Sequence, residues 1–122
     1  MSELLEDVRK MKKNKLRMIT LERLLEMKEN EEQFQLVEVL SPSEYQEWHI
    51  PDAINIPGDQ IKEKASEHLD KNDIVVVYCA SYTCHASTKA ARALMELGYN
   101  NVLDFKAGKK IWHREGLERA GE

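Results

Sequence analysis

Apolar positions along this chain switch between a helical period and short unbroken runs, the pattern of helices alternating with buried strands. Over residues 2–14, Leu4, Leu5, Val8 and Met11 share one helical stripe, and Ser2 is placed to cap it. Arg17–Ile19 reads as a short extended stretch. Thr20 then caps a helix carrying Leu21, Leu24, Leu25 and Met27, with Glu22 in its favourable first turn. Phe34–Leu40 reads as a strand punctuated by Ser41-Pro42, and Ser43 is placed to cap a short helix holding Glu44, Tyr45 and Trp48. Ile50-Pro51 ends that helix, because the residue before proline avoids the helical region. Ala53–Ile56 follows as a short strand closed by Pro57-Gly58, and Asp59 caps a helix with Ile61, Ala65 and Leu69 inward.

Ile74–Tyr78 is β-branched and apolar on both faces, which predicts a central strand covered on both sides. The helix after it carries Ala86, Ala90, Ala91, Ala93, Leu94 and Leu97, with Gly98 where a C′ glycine belongs. Asn101–Phe105 predicts another strand and Lys109–Leu117 a last helix. Strands alternating with helices mean an α/β fold, a parallel sheet flanked by helices on both faces. Residues 15–122 form that domain and residues 1–14 an N-terminal helical extension. Arg9, Lys10, Lys12, Lys13 and Lys15 give the extension a basic patch. It reads as a solvated helix docking lightly on the domain, with a partner-binding or dimerising helix as the alternative.

The chain has 122 residues, 42% hydrophobic and 33% charged, which fits one globular domain able to bury a core without staples. Its longest apolar run, Ile74 to Ala80, falls far short of the roughly 20 residues of a membrane span, so no membrane is expected. With 18 basic against 22 acidic residues the net charge is −4, whereas nucleic-acid binders carry a basic excess, so no nucleic acid is expected either. The N-terminus has neither the basic nor the apolar region of a signal peptide, which makes the cytoplasm the expected compartment, where thiols stay reduced. Two cysteines, Cys79 and Cys84, are too few for a disulfide framework.

Ligands of an open parallel sheet bind beyond the carboxyl ends of its strands. Cys79 is the first residue past the most buried strand, where a polar loop leads into a helix. Amides of such a loop favour an anion, so they are expected to lower the Cys79 thiol from its free value and make it a nucleophile. The alternative is a buried cysteine with no chemistry.

Tyr78-Cys79 after the valine run, then Ser87-Thr88-Lys89-Ala90-Ala91 and Leu97-Gly98-Tyr99, resembles the active-site segment of rhodanese-like domains. His49-Ile50-Pro51-Asp52-Ala53-Ile54-Asn55-Ile56-Pro57 resembles a specific signature of the same family, and Lys106-Ala107-Gly108 with Trp112 is similar to its glycine turn and tryptophan. The likeness runs from about residue 15 to 118. It implies a rhodanese-like three-layer fold with a five-stranded parallel sheet. It also implies a single-domain sulfurtransferase in which Cys79 takes a sulfane sulfur as a persulfide and passes it to a thiophilic acceptor. The donor would be a small molecule such as thiosulfate or a polysulfide, the acceptor a thiol or a protein, with no cofactor and no metal. The loop Ala80, Ser81, Tyr82, Thr83, Cys84, His85 and Ala86 would cradle the anion.

The loop departs from the family. Seven residues separate Cys79 from Ser87, a longer spacing than is typical, and none is Arg or Lys. Relatives of the fold that act as phosphatases or arsenate reductases use Cys-x5-Arg; here His85 stands in that place, and neutral imidazole cannot clamp an oxyanion as guanidinium does. Glu38 and Leu40 replace the family's aspartate and arginine at a strand end. Losing cations from both places is expected to weaken thiosulfate binding, which keeps open a non-catalytic rhodanese-like module that binds a partner or senses redox state. Cys84 fits two roles: a resolving thiol that attacks a Cys79 persulfide, or a loop residue with none. His85 either raises a neighbour's thiolate fraction or is solvated. His49 is expected to be structural, His68 to lie on a polar helix face, and Trp48 and Trp112 to pack in the core; His113, next to Trp112, is within reach of a pocket rim but is not assigned to it. Adjacent Cys84-His85 fits tetrahedral zinc poorly.

Overall fold

The computed structural model describes residues 16–121. The predicted helix over residues 2–14 lies outside them. The described elements are β1 Arg17–Met18, α1 Leu21–Glu29, β2 Gln35–Glu38, α2 Pro42–Glu47, β3 Ile54–Asn55, a 3-10 turn Gly58–Gln60, α3 Ile61–His68, β4 Ile74–Tyr78, α4 Ala86–Glu96, β5 Asn101–Phe105 and α5 Gly108–Arg114. All strands are parallel in a five-stranded sheet of order β1-β5-β4-β2-β3. This is the predicted α/β architecture. Among the described residues no helix is long and apolar enough to cross a membrane.

The run Ile74–Tyr78 is central because its alternate side chains feed two cores. Val75, Val77 and Cys79 pack with Ile61 and Ala65 of α3 and Ala90, Ala91 and Leu94 of α4. Val76 and Tyr78 pack on the opposite face with Leu24 and Met27 of α1, Phe105 and Trp112. Each fully buried valine contributes about 1.5 kcal/mol or more to folding, and a polar residue in this strand would forfeit that on one face.

Several boundaries differ from the sequence expectation. Ser41, not Ser43, caps α2: its hydroxyl accepts from the Glu44 amide, Glu44 reaches back to the Ser41 amide, and Pro42 opens the helix. Trp48 lies just past that helix in extended conformation. Asp59 sits within the 3-10 turn and caps nothing; α3 starts after Gln60 without a side-chain cap. The last helix covers Gly108–Arg114, stopping short of Leu117. Gly98 does close α4: with φ +97° it allows its own amide to reach Met95 and that of Tyr99 to reach Leu94, a Schellman ending.

Strand register aligns one edge of the sheet. Glu38, Tyr78 and Phe105 lie side by side across β2, β4 and β5. The residues that follow, Val39, Cys79 and Lys106, therefore leave the sheet together.

Candidate active site

Cys79 sits at that edge, fully buried beneath the loop that joins β4 to α4. The Cys84 amide donates to the Ser81 carbonyl at 3.0 Å, so the loop folds back on itself. The Cys79 thiol donates to the Cys84 carbonyl at 3.5 Å, and the Cys84 side chain packs against the buried cluster that holds Cys79. The loop between Cys79 and Ser87 thus brings the two cysteines together.

The two sulfurs have opposite environments. Burial pushes the Cys79 thiol up, and contact with Cys84 adds to this, against the opposing pull of the Ser87 hydroxyl and amide. The Ser87 hydroxyl is itself buried, with no hydrogen-bond partner among the described residues. At Cys84 partial burial also works upward, but it is outweighed. The Cys79 thiol, the Ala80 and Ala86 amides and the positive charge of Lys106 hold Cys84 below its ordinary value. Lys106 is fixed there by donating to the Cys84 carbonyl at 2.7 Å. The expectation that loop amides would lower Cys79 is therefore corrected: the cradle exists, and it faces Cys84.

The rest of the loop is polar surface. Tyr82, Thr83 and His85 are exposed, and Ser81 and Thr83 exchange a 3.0 Å hydroxyl contact. His85 makes no side-chain cap for α4, which fits the solvated reading. A cleft of about 200 Å³ runs between Tyr82 and α5, with Lys110 and Arg114 on its far wall. A second recess of about 320 Å³ lies between Trp48, Ala80, Lys110 and His113. Neither is lined by a thiol; they flank the loop.

Beneath this edge a buried ion pair ties the strand end to α5. Lys109 Nζ stands 2.9 Å from the Glu38 carboxylate and donates to the Glu44 carbonyl at 3.0 Å. Tyr78 donates to the other side of that carboxylate at 2.9 Å, while its oxygen accepts from the Ile50 amide at 3.2 Å. Burial raises the Glu38 carboxyl, with Lys109 and Tyr78 pulling it back down. The α5 amides complete the join: Lys109 N–H donates to the Cys79 carbonyl at 3.0 Å and Lys110 N–H to that of Ala80 at 2.8 Å.

Cations absent from the loop thus arrive from the segment 106–114, through Lys106, Lys109, Lys110 and Arg114, none of which the sequence analysis names as a source of charge for the site. Its signal was the cluster Lys106, Lys109, Lys110 and Arg114 directly after a predicted strand. The other singled-out residues fall as follows. His49 is structural, its Nδ1 2.9 Å from the Tyr45 carbonyl, its ring stacked on Tyr45, and its backbone bridged to Ala120. His68 is largely exposed on α3. Trp112 is core. Trp48 is corrected from core to recess wall, half-buried beneath Lys109 and Arg119. His113 does reach that rim, accepting from Arg119 at 3.1 Å.

A family model described as rhodanese-like domain matches residues 20–115. A sulfurtransferase of Allochromatium vinosum is 38% identical over 82 residues, covering 67% of this chain and 74% of that one. The thiosulfate sulfurtransferase PspE of Escherichia coli is 40% identical over 67 residues, 54% of this chain and 62% of its own length. The chain thus spans less than two thirds of the latter. Among solved structures, the solution structure of a rhodanese-like domain from an Anabaena protein superposes with a TM-score of 0.79 at 25% identity, covering 88% of this chain and 81% of that one.

Proposed function

The chain belongs to the rhodanese-like domain family, and from that premise we propose that it is a sulfurtransferase carrying sulfane sulfur as a persulfide on Cys79. The observation that carries this reading is the buried Ser87 hydroxyl, lacking any partner and set beside the Cys79 sulfur at the end of the central strand. A buried donor without a partner costs about 1–3 kcal/mol. An anionic sulfur at Cys79 would remove that cost.

The reaction begins with a proton shift. The Cys79 thiol gives up its proton to solvent. The Cys79 thiolate then attacks the outer sulfur of thiosulfate; the Cys79–sulfur bond forms, the donor sulfur–sulfur bond breaks, and sulfite leaves with the electron pair. Ser87, through its hydroxyl and its amide, stabilises the persulfide anion where charge develops. A thiophilic acceptor then removes the outer sulfur and restores the Cys79 thiolate. Lys110 and Arg114 beside Tyr82 draw an anionic donor to the loop from an otherwise acidic protein.

Thiocyanate formation from thiosulfate and excess cyanide tests this. The intact protein is expected to exceed the uncatalysed rate and Cys79→Ser to fall to it. Equal rates for both proteins would show that Cys79 carries no sulfur.

A further inference from the structure

Transfer to an external acceptor needs one thiol, yet this loop brings two cysteines together. Cys84 is not a surface bystander: it is half-buried, its amide and carbonyl are both engaged, and Lys106 clamps it against the strand edge. Its sulfur occupies the cradle of the Ala80 and Ala86 amides. A persulfide on Cys79 would therefore form with a second sulfur nucleophile already beside it.

We propose that, when no acceptor is present, Cys84 resolves the Cys79 persulfide within the chain, releasing sulfide and closing a Cys79–Cys84 disulfide. This rests on the persulfide reading above. Cys84 attacks the inner sulfur of the persulfide, the Cys79 Sγ. The Sγ–Sγ bond forms, the bond from Cys79 Sγ to the outer sulfur breaks, and the outer sulfur departs as hydrosulfide with the proton that Cys84 loses as it attacks. The sulfane sulfur is reduced and the two cysteines are oxidised to a disulfide, so no further oxidant enters. A dithiol reductant, free or protein-borne, resets the pair. The domain then has a second activity, dithiol-dependent reduction of sulfane sulfur to sulfide, in competition with transfer.

The geometry favours this direction of attack. The attacking thiol of an exchange reaction reacts as its thiolate, and Lys106, held 2.7 Å from the Cys84 carbonyl, sets beside Cys84 a positive charge that favours that form. The leaving hydrosulfide departs toward the loop side, since Cys79 is sealed on the core side by Val77, Ala90 and Ala91.

The test is anaerobic treatment of the full chain with thiosulfate, without cyanide or thiol, read by intact mass and by free sulfide. The unaltered protein is expected to end two hydrogens lighter, with about one sulfide released per chain. Cys84→Ser is expected to end one sulfur heavier and to release none. An unaltered protein that keeps the added sulfur and releases no sulfide would overturn the proposal, as would Cys84→Ser releasing sulfide as fast. Failure of the underlying persulfide reading looks different: Cys84→Ser then gains no sulfur at all.

Discussion

Replacing Gly108 by alanine isolates how the last helix is seated on the thiol-bearing strand. Gly108 has φ +64°, and a Cβ built there stands 2.3 Å from the Cys79 carbonyl oxygen and 3.0 Å from the Ala80 carbonyl carbon. The left-handed backbone alone costs a side-chain-bearing residue about 1 kcal/mol. The clash is with backbone, so no rotamer change relieves it and α5 must lift. Lifting stretches the hydrogen bonds from Lys109 N–H to Cys79 and from Lys110 N–H to Ala80, each contributing about 1 kcal/mol. The expected loss is therefore about 3 kcal/mol, a large part of the 5–15 kcal/mol that ordinarily holds a domain together. Gly116 supplies the control, because its φ of +67° is similar but nothing lies within 4 Å of an added Cβ. Gly116→Ala should lose only the backbone share, about 1 kcal/mol. Urea unfolding of the three proteins reads the difference as a shift in midpoint at constant slope. Equal losses for the two variants would refute the seating of α5 against Cys79.

Lys109→Met leaves the Glu38 carboxylate buried without its cation and is expected to cost about 3–5 kcal/mol at neutral pH by denaturant unfolding. Its pH dependence has a definite sign. Burial already raises the Glu38 carboxyl in the folded state, and loss of Lys109 raises it further. A carboxyl raised on folding favours the folded state most below its unfolded value, and the advantage disappears as pH climbs through the folded one. The variant should therefore be least destabilised at about pH 4 and increasingly so above it; a flat difference would contradict the assignment. Lys106→Met should move the pH profile of Cys84 alkylation upward, followed by fragment mass spectrometry, and Lys106→Arg should restore it. In the unaltered protein Cys84 should react at lower pH than Cys79.

The strands and the site's location were legible because they depend on local runs. Ile74–Tyr78 has no polar position, so only a strand buried on both faces accommodates it, and Cys79 then has to fall at the sheet's ligand-binding edge. Gly98 was legible for a similar reason, standing where an eleven-residue helical pattern ends. The α2 cap was missed because two serines flank Pro42, and the choice depends on reciprocal bonding between Ser41 and Glu44. The Glu38–Lys109 pair joins residues 71 apart and arises only from the register of β2, β4 and α5. Which thiol the loop amides serve was illegible for a physical reason. Spacing places both sulfurs in one loop, but which of them meets the amides depends on the turn from Ser81 to Cys84 and on Lys106, brought alongside by strand pairing.

The most direct test of Cys79 as sulfur carrier is to locate the sulfur. The unaltered protein is exposed anaerobically to thiosulfate, quenched early with excess alkylating agent, and fragmented in the mass spectrometer. An alkylated persulfide on residue 79 is the predicted result; early fragments bearing the extra sulfur on residue 84 instead would contradict it.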